Sequence, residues 1–132
     1  MPIAVTAEME ILVGSTFILE GRSTDSPFAC VFEDDGETGY FYAVDVGGPN
    51  LQILDAVHIY NVQGVLDRAN PSVATIGWSV DGLKSVLLIN GYPHAIFDFV
   101  AKRGYCRSGF PPPWSGWSGH EWDNEAENLF AE

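Results

Sequence analysis

Short apolar runs separated by turn residues recur along most of this 132-residue chain. Each run is alternating or wholly apolar, and glycine, proline, asparagine or aspartate ends it before it reaches the length of an ordinary helix. The predicted strands cover residues 8–13, 16–20, 28–33, 40–46 and 51–62. The last run fits a long strand or a short helix, and its β-branched and aromatic second half favours a strand. The pattern predicts a mainly β fold: an antiparallel meander, a sandwich or a partly open barrel, with one short C-terminal helix.

The clearest turn lies at Asn90 and Gly91. These two residues readily take the positive φ angles that a two-residue type I′ hairpin requires. The register that follows pairs residues on either side of the turn: Ile89 with Tyr92, Leu87 with His94, and Val86 with Ala95.

A second turn lies at Asp81 and Gly82, as either a two-residue turn or a three-residue loop. The two differ by one step of register, which decides the face of every side chain in the strand. The three-residue loop is favoured because it collects apolar residues on one face: Ile76, Trp78, Val86, Leu88, Ala95, Phe97 and Phe99. The opposite face then carries His94, Leu87, Ile96 and Asp98. Pro93 cannot donate to a ladder, which predicts an edge strand or an unpaired position.

The composition changes near residue 103, and residues 103–132 are rich in Gly, Pro, Ser and Trp before they turn acidic. A capping box at Ser118 and Glu121 predicts a short helix that packs on the sheet. Its apolar residues recur at helical spacing: Trp122, Ala126, Leu129 and Phe130. Trp114 and Trp117 are candidate binding residues, unless this tail fills a groove of its own domain. The whole chain, 1–132, is predicted to be a single domain.

Acidic residues outnumber basic ones by 18 to 6, which gives a net charge of -12 and a pI near 4.3. Nucleic acid and anionic membranes are therefore poor partners, because both are bound through clustered Lys and Arg. The charge suits solubility or a basic protein partner. The turn with Glu33, Asp34, Asp35 and Glu37 is the predicted contact. It lacks the ligand series of a calcium-binding loop.

Three residues are weak candidates for catalysis: His94, His58 and Asp98. A neutral histidine on a polar face is suited to act as a general base. The sequence contains no recognised metal spacing, phosphate-binding loop, dinucleotide fingerprint or nucleophile elbow. We therefore expect no metal and no cofactor, and a non-enzymatic protein is favoured. The alternative is a small hydrolase or ligand-binding enzyme that uses His94 or His58. Cys30 and Cys106 are expected to be reduced thiols.

The first 14 residues have no basic leader and include Glu8 and Glu10. No uncharged apolar run reaches the roughly 18 residues of a membrane helix. These features predict a cytoplasmic protein.

Three segments carry a family resemblance: ILDAVHIYNV, WSVDGLKSVLLINGYPHAIFDF and RGYCRSGFPP. Together they resemble a small bacterial family of unknown function, the DUF2251 family. The resemblance implies no reaction, cofactor or catalytic residue. In size and acidity the chain is also similar to the immunity proteins that neutralise bacterial toxins. We predict a non-enzymatic protein-binding module with an immunity-like role toward a basic toxin; a homodimer through an edge strand is a further alternative.

Overall fold

The structure is a computed structural model that describes residues 2–113 and 116–131. The described residues form nine strands: β1 Ala4–Ile11, β2 Phe17–Arg22, β3 Phe28–Asp34, β4 Thr38–Asp45, β5 Gln52–Asn61, β6 Ser72–Trp78, β7 Lys84–Ile89, β8 Tyr92–Asp98 and β9 Arg103–Cys106. Two 3-10 helices complete the regular structure: Val62–Gly64 and Asn124–Phe130. The strand prediction for residues 51–62 is confirmed, because β5 fills most of that range.

The strands form two antiparallel sheets that do not close into a barrel. The five-stranded sheet has the order β1-β6-β7-β8-β9, and the four-stranded sheet has the order β2-β3-β4-β5. Neighbours in the four-stranded sheet follow one another along the chain, so this sheet is a simple meander. The prediction of a mainly β, antiparallel architecture is confirmed.

The hydrophobic core lies between the two sheets. Its largest side chains include Trp78 and Phe97 from the five-stranded sheet and Phe32 and Phe41 from the four-stranded sheet, all essentially without solvent exposure. Phe41 and Phe97 stack across the interface with ring centroids 5.2 Å apart. Each large apolar side chain buried in this way contributes about 1.5–3 kcal/mol to folding. The inward faces therefore hold the sheets together and leave the outward faces available for other contacts.

The turn at Asn90 and Gly91 forms as predicted, with φ of 52° and 78°. Ile89 pairs with Tyr92 and Leu88 with Pro93, but a β-bulge after these two pairs shifts the register. The predicted pairs of Leu87 with His94 and of Val86 with Ala95 are therefore wrong by one residue: Leu87 pairs with Ala95 and Val86 with Ile96. The bulge lies beside Pro93, which cannot donate a ladder hydrogen bond.

The predicted three-residue loop at Gly82 is also wrong, although Gly82 does have a φ of 72°. Trp78 pairs with Ser85, which is the register of the two-residue alternative. The Asp81 carboxylate accepts hydrogen bonds from the Ser79 hydroxyl and the Leu83 amide, so side-chain bonding and not the glycine alone shapes the loop. As a result, Val86 and Leu88, which were predicted for the core face, lie on the other face of the sheet, in a second cluster with Ile96.

The C-terminal segment differs from its prediction in where the helix begins. Ser118 and Glu121 form parallel bridges to β9 and do not cap a helix. The helix is of the 3-10 type, begins at Asn124, and is capped by Asp123, whose carboxylate accepts from the Glu125 amide at 2.9 Å. Buried residues of this helix join the second cluster on the outer face of the five-stranded sheet: Ala126 and Phe130.

Candidate functional site

The outer face of the four-stranded sheet carries a row of contacting aromatic rings. Tyr40 and Tyr42 are two residues apart on β4, so they share one face, and their ring centroids are 6.1 Å apart at 26°. His58 on β5 is the register partner of Tyr40, and its ring meets the Tyr40 ring edge-on at 5.6 Å. Phe110 extends the row, with its ring 6.1 Å from that of His58. This aromatic row is defined as Tyr42, Tyr40, His58 and Phe110.

Backbone hydrogen bonds hold Phe110 at the end of the row. The His58 amide donates to the Phe110 carbonyl at 2.8 Å, and the Ser108 hydroxyl donates to the His58 carbonyl at 3.1 Å. Phe110 stays 54% exposed, and Ile18 on the opposite edge strand is 66% exposed. The face is therefore apolar at both of its edges, although it points away from the core.

Carboxylates border the aromatic row. Glu33 on β3 is the register partner of both Tyr40 and Ile18, so its side chain lies on the same face as theirs. Burial raises the pKa of Tyr42, and the nearby charge of Glu33 raises it further. Glu20, which is exposed on β2, pairs with Arg22. The acidic border and the rings together form a surface suited to a cationic, partly apolar group.

Asp34 does not belong to this surface. The side chain is buried on the core face, so the prediction of an exposed turn with four carboxylates is wrong for this residue. Its carboxylate accepts hydrogen bonds from the Gly14 amide at 2.6 Å, the Gly36 amide at 2.8 Å and the Tyr60 hydroxyl at 2.7 Å. Burial and the bond to Asp34 raise the pKa of Tyr60. Asp34 therefore fixes the β3–β4 turn from inside.

Asp35 and Glu37 remain exposed at the tip of the turn. The Asp35 carboxylate accepts from the Glu37 and Thr38 amides, both at 2.9 Å. These backbone hydrogen bonds, that from Thr38 first, lower the pKa of Asp35. The tip thus keeps its negative charge next to Glu33.

His94 and Asp98 are not brought together. His94 lies at the bulge of β8, with its ring 5.4 Å from the Tyr92 ring. Burial, and then the charge of Arg107, lower the pKa of His94. Asp98 is buried and caps the following turn by accepting from the Val100 and Ala101 amides. The bonds that Asp98 makes are those of a turn-stabilising residue.

Of the two tryptophans predicted as binding residues, only Trp117 lies within the described residues. Trp117 is half-buried and packs edge-on against the core rings of Phe97 and Phe99, at 5.8 and 5.7 Å. Trp114 lies outside the described residues. Both cysteines, Cys30 and Cys106, are free and buried, as predicted for reduced thiols.

A buried Asp–His pair was missed by the sequence analysis. His120 Nε2 and Asp55 Oδ2 lie 2.6 Å apart, and neither side chain has any solvent exposure. The Nδ1–H of His120 donates to the Pro111 carbonyl. Gly104 on β9 permits this approach, since a Cβ there would lie 2.9 Å from the His120 ring. The pair joins β5 to the C-terminal segment, and no local motif could have indicated it because the residues are 65 positions apart.

Residues 2–113 and 116–131 contain no group of three or more His, Cys, Asp or Glu side chains arranged to hold a metal ion. Over the same residues, no helix has the length and apolar character needed to cross a membrane.

Comparison with known proteins places the chain in a family. The family model described as an uncharacterized protein conserved in bacteria, DUF2251, matches residues 11–131. An uncharacterized protein of Haemophilus influenzae is 40% identical over 124 residues, which cover 92% of this chain and 77% of that protein. No solved structure matches. The resemblance seen in the sequence is therefore confirmed, and the chain belongs to the DUF2251 family of bacterial proteins.

Proposed function

We propose that this protein is a non-enzymatic binding module that holds a basic protein partner on the outer face of its four-stranded sheet. The observation that carries the proposal is the aromatic row beside Glu33 on an outward sheet face. Tyrosine and other aromatic residues dominate the energetics of protein interfaces because they bury much area at low entropic cost. An immunity-like role, in which the partner is a basic toxin, is the form of this function that we favour.

The C-terminal 3-10 helix covers one of the two outer sheet faces and leaves the other accessible. The C-terminal 3-10 helix packs Ala126 and Phe130 on the outer face of the five-stranded sheet, beside Val86 and Ile96. On the four-stranded sheet, by contrast, Tyr40 and Tyr42 are only half-buried. A face with this many rings, left accessible, supports a role in binding.

Charge supports a basic partner. The chain has a net charge of -12. Glu33 lies opposite Tyr40 in the aromatic row, and Asp35 and Glu37 are exposed in the adjoining turn. Such a potential steers a cationic protein toward the face and raises the association rate, an effect that salt screens over about 8 Å at physiological ionic strength. The two free, buried cysteines support a reducing compartment, so we place the interaction in the cytoplasm.

The hydrolase alternative has less support. His58 Nε2 is engaged by the Asn61 side-chain oxygen at 3.0 Å. The ring of His94 contacts Tyr92, and burial and the charge of Arg107 lower its pKa. The Asn61 oxygen orients the His58 ring, but the Nδ1 atom that would then act as the base is buried. The charge of Arg107 disfavours the protonated form that His94 would have to reach as a base.

Site-specific photocrosslinking tests the proposal. Tyr42→p-benzoylphenylalanine places the crosslinker in the aromatic row, and Val80→p-benzoylphenylalanine is the control, because Val80 is 66% exposed on the β6–β7 loop. In extracts of the native organism, we expect the position 42 probe to capture a basic protein that the control does not. A self-adduct would point instead to a homodimer and would contradict the proposal.

The captured protein is then purified and its binding measured at low and high ionic strength. We expect Tyr42→Ala to weaken binding by at least about 2 kcal/mol, roughly thirtyfold in Kd. Glu33→Lys with Asp35→Lys should slow association and flatten its salt dependence. Asp34 is left unchanged because it is buried. An acidic partner, or unchanged rates in these variants, would refute the proposal.

A further inference from the structure

We infer that the group bound at the aromatic row is an arginine side chain of the partner, stacked on Tyr40 and Tyr42 and paired with Glu33. The inference rests on the proposed function and deepens it, because it names the chemistry that the face selects. Three features of the described residues carry it: the geometry of the rings, the position of the carboxylate, and the way this fold holds its own arginines.

The two tyrosine rings are stacked next to each other along β4. Their planes differ by 26°, and both rings lie on the outward side of β4. Glu33 is directly opposite Tyr40 on the neighbouring strand, and opposite residues have Cβ atoms about 5 Å apart. A planar cation stacked on the Tyr40 ring is therefore within reach of this carboxylate.

The fold uses the same arrangement for its own arginines. The Arg107 guanidinium lies 3.6 Å from the Trp122 ring centroid and 4.6 Å from that of Tyr92. It also donates two hydrogen bonds to the Pro93 carbonyl, at 2.9 and 3.1 Å. Arg107 thus combines a guanidinium lying over aromatic rings with an oxygen acceptor for its N–H groups.

Arg103 repeats the pattern, with its guanidinium 4.5 Å from the Tyr105 ring centroid and a hydrogen bond to the Glu121 carbonyl. Among the described residues, no cation lies over Tyr40 or Tyr42, although both rings have Glu33 nearby as the acceptor. At Arg103 and Arg107 the chain combines an aromatic ring, an oxygen acceptor and a guanidinium group. The outer face of the four-stranded sheet has the rings and the acceptor but lacks the guanidinium among the described residues.

Arginine fits this surface better than lysine. The guanidinium is planar, so it stacks on a ring while its N–H groups bond a carboxylate in two places. It is also less strongly hydrated than an ammonium group, which reduces the desolvation cost of stacking. The exposed apolar side chains of Ile18 and Phe110 would contact residues on either side of the arginine in the partner.

The test compares a tetra-arginine and a tetra-lysine peptide, equal in charge, by NMR titration of the full-length protein. We expect the arginine peptide to bind at least about fivefold more tightly, with the largest shifts in β3 and β4. Tyr42→Leu should abolish the preference, and Tyr42→Phe should retain it because a ring remains. Glu33→Gln should weaken the arginine peptide several-fold, while Glu127→Gln, which removes an exposed charge on the C-terminal helix, should not.

Equal affinity for the two peptides, or a preference that survives Tyr42→Leu, would overturn the inference. If the partner captured at position 42 still requires Tyr42, the proposed function stands and only the choice of arginine fails. If the captured partner binds the Tyr42 variants normally, the proposed function fails as well. Circular dichroism of each variant confirms that it is folded before titration.

Discussion

Breaking the buried pair of Asp55 and His120 should cost the protein a large part of its stability. The two side chains have no exposure and meet at 2.6 Å, so removal of either one deprives the other of a bond that water cannot replace. Deleting one member of such a pair costs about 3–5 kcal/mol. With an unfolding entropy of about 2.1 cal/mol/K per residue, 132 residues give about 0.28 kcal/mol per kelvin. We therefore expect Asp55→Leu or His120→Leu to lower Tm by about 11–18 °C.

A double-mutant cycle separates the pair from simple loss of packing. In Asp55→Leu with His120→Leu, two apolar side chains replace the pair, and such replacements are often close to neutral. The double variant should be more stable than the sum of the two single losses implies, with a coupling of at least about 2 kcal/mol in urea unfolding. His58→Leu is the control, since His58 is half-buried on the outer face, and it should cost under about 1 kcal/mol. Single costs below 1 kcal/mol, or strictly additive effects, would show that Asp55 and His120 do not stabilise the fold as a pair.

Three further outcomes follow from the structure. Gly91→Val should lower the free energy of unfolding by about 1–3 kcal/mol, because Gly91 has a φ of 78° that a β-branched residue cannot readily adopt. Gly91→Asn should lower it less. The same melting temperature for Gly91→Val and the wild type would exclude this turn. Asp34→Ala should cost at least about 3 kcal/mol in urea unfolding, because three donors lose a buried carboxylate; a loss under 1 kcal/mol would contradict its internal role. The pKa of His94 in the folded protein lies below the ordinary 6.5, so His94 adds stability that is present above pH 6.5 and is lost as pH falls through its folded-state pKa. His94→Gln should therefore flatten the fall of unfolding free energy below pH 6.5. An unchanged slope would contradict the burial of the His94 ring.

Local patterns predicted the elements, and distant contacts decided their register. The turn at Asn90 and Gly91 was predictable because the two residues themselves adopt the required φ angles. The bulge beside Pro93 was not predictable, because the Pro93 carbonyl accepts a hydrogen bond from Arg107, which is 14 positions away in the sequence. Local sequence thus predicted the hairpin, but it could not predict the bulge at His94 that follows the first two pairs of the hairpin.

The same distinction applies to the site. Alternation along β3 contained a signal that Asp34 points inward, since it continues the series of Phe28, Cys30 and Phe32, but its acidic neighbours suggested an exposed tip. The spacing of Tyr40 and Tyr42 showed that they share a face. Which face was outward depended on the other sheet, and His120 meets Asp55 only through the path of the C-terminal segment.

The central claim is that the outer face of the four-stranded sheet is the binding surface. Amide NMR mapping with the partner captured at position 42, added to isotope-labelled protein, tests it most directly. We expect the largest shifts on β3, β4 and the His58 region of β5, and we expect them to weaken with salt. Shifts concentrated on the C-terminal 3-10 helix or on β6 and β7, with β4 unchanged, would contradict it.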